Sequence, residues 1–83
     1  MSEKDLLNPL IGEARSFSIS TDQKDICNLL SKVSDAETWH ACHFKLLNKL
    51  HCSLSKALDG RLNNRQGWHT NLMSELDELA RQI

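Results

Sequence analysis

Residues 35–60 read DAETWHACHFKLLNKLHCSLSKALDG, and the phase of their apolar side chains decides the fold class. Trp39, Cys42, His43, Leu46, Leu47, Leu50, Leu54, Ala57 and Leu58 share one broad stripe at helical spacing. The spacing predicts a main helix from Asp35 to about Asp59, about 37 Å long at 1.5 Å per residue, with Gly60 ending it in the position just past a helix C-terminus.

Toward the C-terminus, Asn63, Asn64 and Gly67 mark a reversal. A last helix from about Arg65 or Trp68 to Ile83 carries Leu72, Leu76, Leu79 and Ile83 at steps of four, three and four. So short a connection predicts an antiparallel hairpin. Toward the N-terminus, Ser34 and Glu37 have the spacing of a capping box, so a break is expected at Ser34, although the apolar phase would also survive an unbroken helix. Before it, Ile26, Leu29, Leu30 and Val33 predict a one-sided helix of about three turns. Ser20 or Thr21 begins it, because Ser20 and Gln23 again match a capping box and Asp22 puts negative charge in the first turn.

The first 20 residues are the least regular. Ser2 caps a short turn through Leu7, Asn8-Pro9 interrupts it, and residues 16–20, SFSIS, alternate like an extended segment. Leu6, Leu7, Leu10, Ile11, Phe17 and Ile19 are too apolar for a free tail. Residues 1–20 therefore read as an N-terminal arm lying against the helices of its own or a neighbouring chain, and residues 21–83 as the helical hairpin domain. With one proline, three glycines and few aromatic residues, sheet has little to build on and the fold class is all-α.

At 83 residues a single core is marginal and needs a supplement. Three cysteines, Cys27, Cys42 and Cys52, form no paired framework, the N-terminus lacks a basic signal region, and no run approaches a membrane span. A cytoplasmic protein with free thiols is expected, supplemented by association of copies. A two-helix hairpin leaves the broad stripe uncovered, which predicts a homodimer or higher even oligomer forming a four-helix-bundle-like assembly. Trp39, Leu46, Leu50, Leu54, Leu72, Leu76 and Leu79 are its expected interface.

Chemistry-bearing clusters are few. His40 and His43 sit i, i+3 and are the best start of a metal site, but His51 lies about 12 Å farther along the helix, so ligands such as Cys27 or His69 would have to converge from elsewhere. The resemblance to the small four-helix copper-sensing repressors stops at size and helicity. No metal or other cofactor is expected. There is no Gly-rich phosphate loop and no nucleophile elbow, and a slender hairpin offers no pocket for cysteine catalysis, so no enzyme is expected.

Charge runs in three blocks: −3 over residues 1–37, +4 over 38–65 and −2 over 66–83. Lys45, Lys49, Lys56, Arg61 and Arg65 make the middle the one candidate nucleic-acid ridge. The overall charge of −1 and the lack of interleaved aromatics weigh against it. Trp39 and Trp68 belong to the side-chain type most enriched at interface hot spots. In size, helicity, cytosolic character and lack of catalytic motifs the whole chain resembles the small antirepressors and antiactivators of temperate phages and mobile elements. That resemblance implies a non-enzymatic regulator that sequesters or disassembles a transcription repressor or activator. Phe17, Trp68, Leu10 and Ile11 are its expected partner contacts. A nucleic-acid-binding bundle and a secretion or assembly chaperone are the alternatives.

Overall fold

The computed structural model describes residues 3–35 and 45–83, with side chains from residue 5 onward. Every regular element among them is a helix: α1 (Glu3–Arg15), α2 (Gln23–Ser34), α3 (Lys45–Leu62) and α4 (Trp68–Arg81). None is long and apolar enough to cross a membrane. The smallest dimension, 17 Å, leaves room for two layers of helices at the usual 8–10 Å interaxial distance.

The hairpin is present and antiparallel. Lys49 near the start of α3 bonds Gln82 just past the end of α4, Lys56 meets Glu75, and Gly60 near the end of α3 abuts Trp68 at the start of α4. The expected break is also found. Helix α2 ends at Ser34, and Asp35 leaves the helix with ψ of 135°. The expected helical stretch from Asp35 to Phe44, with its Ser34–Glu37 box and Trp39, lies largely outside the described residues.

Gly60 does not end α3. It stays helical and buried, and a Cβ built there would stand 2.5 Å from the Trp68 Cβ, so its role is to let α3 and α4 approach. The chain leaves the helix two residues later through Asn64, at φ 50° in the left-handed region that Asn tolerates. The Arg65 N–H donates to the Gly60 carbonyl at 2.8 Å and the Asn64 N–H to the Arg61 carbonyl at 3.4 Å. Those two bonds satisfy carbonyls of the last turn in the Schellman pattern.

The largest departure from expectation is at the N-terminus. Residues 3–15 form α1, a helix with Pro9 inside it, rather than an irregular arm. Leu7, Ile11 and Ala14, at i, i+4 and i+7, are buried by packing across α2, α3 and α4. Pro9 is exposed, so its ring meets solvent rather than the packed face. The lost hydrogen bond to the fourth preceding carbonyl is outweighed by burial of two large aliphatic side chains, each worth about 1.5–3 kcal/mol.

Helices α1 and α2 supply the cover that a bare hairpin lacks. Leu47, Leu50, Leu54, Leu72, Leu76 and Leu79 join Leu7, Ile26, Leu29 and Val33 in one core enclosed by a single chain. Five of the residues expected at an oligomer seam, Leu50, Leu54, Leu72, Leu76 and Leu79, are thus already buried without a second copy. Leu46 is half-buried at the edge of the core.

Candidate interaction surface

The segment that joins α1 to α2 folds on itself because hydroxyl side chains replace the missing backbone partners. Ser16 Oγ donates to the Glu13 carbonyl at 2.6 Å, and the Ser18 N–H donates to Thr21 Oγ1 at 2.7 Å. The Thr21 N–H returns a bond to the Ser18 carbonyl at 3.1 Å. The Ser18–Thr21 stretch is therefore a closed turn and not the extended run that its alternation suggests. At its tip stands Ile19, 72% exposed, the most exposed large aliphatic among the described residues. Helix α2 then starts later than expected, with neither Ser20 nor Thr21 as its cap. Asp22 is the N-cap, its Oδ1 accepting from the Lys24 N–H at 3.0 Å.

Two long-range bonds fix the Phe17–Thr21 segment against the facing ends of α3 and α4. Arg61 Nε donates to the Thr21 carbonyl at 3.0 Å, and His69 Nε2 donates to the Phe17 carbonyl at 2.8 Å. His69 also meets the Trp68 ring edge-on, with centroids 5.6 Å apart. The result is an open groove of about 440 Å³ at one end of the molecule, walled by Ile19 on one side and by Arg61, Asn64, Arg65, Gln66, Gly67 and Trp68 on the other. Leu62, 53% exposed, follows Arg61 at the same end.

The sign of this surface is set by its arginines. Helix α3 presents its negative C-terminal end here and α4 its positive N-terminal end, where Gly67 at φ 87° offers no side-chain cap, so the two dipoles offset one another. Arg65 has only a loose 3.5 Å contact with the exposed Asp59. Arg61 has no carboxylate within ion-pair distance among the described residues, and no acidic side chain lines the groove.

The expected partner contacts divide. Phe17 is half-buried and linked through its carbonyl to His69, and Trp68 closes the core beneath the groove, so the structure brings these two segments together. Trp68, only 8% exposed, is a packed residue rather than a protruding anchor. Ile11 is core and Leu10 half-buried beside it, because both sit on the packed side of α1. Arg61 and Arg65 were expected only as the end of the basic ridge and Ile19 only as part of the apolar arm, and nothing in the sequence joins the three in one site; the signal was an isolated isoleucine among hydroxyl residues.

The other candidate clusters fare differently. Lys49 and Lys56 face α4, engaged by Gln82 and Glu75, so the basic ridge is partly occupied within the chain. Among the described residues no three His, Cys, Asp or Glu side chains converge as metal ligands. His40, Cys42 and His43 lie outside the described residues. Cys27 and Cys52 are free and exposed. Compared with protein-family models, curated proteins and solved structures, the chain matches none of them.

Proposed function

We propose that this protein is a non-enzymatic, protein-binding regulator, of the antirepressor or antiactivator kind, and that it engages its partner through the end of the molecule where the Ser18–Thr21 turn meets the α3–α4 loop. The observation that carries this reading is the placement of Ile19 and Leu62. Every other large aliphatic side chain described is in the core or packed against it, yet these two stand largely in solvent, Ile19 lining the groove and Leu62 following Arg61 of its wall. Exposed aliphatic groups beside a polar rim are the usual composition of a contact surface. The turn carrying Ile19 is tied down by Arg61 and His69, so little ordering entropy is left to lose on binding. Pairing of two copies through the leucine stripe is not part of the proposal, since α1 and α2 cover that stripe.

The test uses the tagged full-length protein in an extract of its source organism, with captured chains identified by mass. The expected result is a stoichiometric transcription regulator that is retained by the unaltered protein and lost with Ile19→Asp and Leu62→Asp, while both variants keep the parent helicity. Each substitution should weaken the complex by about 2 kcal/mol or more, the range of interface hot spots. A partner held equally well by both variants would remove this end of the molecule from consideration.

A further inference from the structure

The grooves among the described residues differ in what they offer a ligand. The one between α3 and α4 is already served by Lys49 with Gln82 and by Lys56 with Glu75. The one between α1 and α2 is mostly polar, and its Glu13 and Lys32 bond each other at 3.0 Å. The end groove alone combines an arginine without a carboxylate partner, a second with only a loose one, and an aliphatic side chain in solvent.

We propose that the end groove docks an acidic segment of a partner protein that bears a large apolar side chain, its carboxylates meeting Arg61 and Arg65 and its apolar group covering Ile19. This rests on the protein-binding reading above and adds the chemistry of the partner. Guanidinium groups match carboxylates in a planar, two-pronged geometry. The groove's volume, about 440 Å³, lies within the range of roughly 300–1,000 Å³ typical of clefts that take ligand-sized groups. A nucleic acid satisfies only half of this surface. Phosphates would meet the arginines, but Trp68 is packed and offers no exposed ring for a base to stack on, while Ile19 would stay uncovered. Arg61 is also held in place through its bond to Thr21, so one of the two cations is preorganised.

The experiment titrates the full-length, isotope-labelled protein with a synthetic twelve-residue peptide of glutamate, aspartate, leucine and tryptophan. Three parallel titrations use the same peptide with lysine for every acid, the same peptide with serine for every apolar residue, and a single-stranded oligonucleotide. The expected result is saturable shifts at Ile19, Gln66 and Gly67 with the first peptide only. The affinity should fall about tenfold in roughly 0.5 M salt and about tenfold with Arg65→Glu, a substitution on the exposed rim. Equal binding of the lysine peptide, stronger binding of the oligonucleotide, no shift with any probe, or shifts that trace to self-association by sedimentation would each overturn the proposal. The two readings fail separately. A captured partner that is lost with Ile19→Asp but indifferent to salt and to Arg65→Glu refutes the acidic chemistry alone, whereas indifference to Ile19→Asp refutes the surface.

Discussion

Helices α1 and α3 each bury a leucine completely, Leu7 as fully as Leu50, but they reach that state by different routes. Helix α3 has 18 residues, no proline and packed neighbours in α2 and α4. Helix α1 has 13 residues, a proline in its seventh position, and polar ties to the rest through Arg15–Asp77 and Glu13–Lys32. A segment that short, with Pro9 in it, is a poor helix in isolation. Helix α1 is therefore helical because it is packed, and the hairpin in turn is covered because α1 is there.

Removing α1 is expected to have the largest effect on stability. Deleting residues 1–15 strips Leu7 and Ile11 from the core and uncovers the side chains beneath them, a loss on the order of 3–6 kcal/mol from the two large side chains alone. Small domains have only about 5–15 kcal/mol in total, so the truncated chain is expected to be largely unfolded in urea titrations monitored by circular dichroism. If it unfolded cooperatively at the parent midpoint, α1 would be a surface appendage after all.

A smaller pair of effects sharpens the contrast by its opposite signs. Pro9→Ala restores a helix donor at an exposed site and should stabilise the protein by about 2 kcal/mol, the proline penalty less the entropy the unfolded chain regains. Gly60→Ala is an exchange that ordinarily gains about 1 kcal/mol inside a helix. Here the new methyl group would stand 2.5 Å from the Trp68 Cβ, an atom too close to the backbone to swing away. A cost of about 1–3 kcal/mol is expected instead, read as a lower melting temperature. A Gly60→Ala protein more stable than the parent would mean that the α3–α4 approach is looser than this contact requires.

What was legible in the sequence follows the same division. Leu47, Leu50 and Leu54, then Leu72, Leu76 and Leu79, keep an unbroken helical phase on each side of a loop rich in Asn and Gly, and that is enough to specify an antiparallel hairpin. Leu7, Ile11 and Ala14 have the same phase, but Asn8-Pro9 punctuates it, and local punctuation cannot reveal that burial from three other helices will override it. Gly60 misled for a related reason. Glycine permits both a left-handed turn and a close helix contact, and only the second neighbour, Trp68, says which is used. The groove was the least legible feature, since Ile19 and Arg61 are 42 positions apart and only the bond from Arg61 to Thr21 brings their segments together.

The smallest expected effect probes how firmly α1 is registered against α4. Arg15 Nη2 and Asp77 Oδ1 stand 2.7 Å apart, 62 positions apart in sequence, with both side chains substantially exposed. Solvent screening limits such a pair to about 0.2–1 kcal/mol, so neither Arg15→Ala nor Asp77→Ala should shift the urea midpoint by much. The informative quantity is the coupling. A double-mutant cycle removes each residue's separate interactions with solvent and backbone and leaves the pair alone. If α1 sits on α4 through its leucines, the coupling should be near 0.5 kcal/mol and should vanish in roughly 1 M salt, while the core variants keep their full effect. A coupling that exceeded about 2 kcal/mol and survived salt would mean that Arg15 and Asp77, rather than Leu7 and Ile11, hold the N-terminal helix in place.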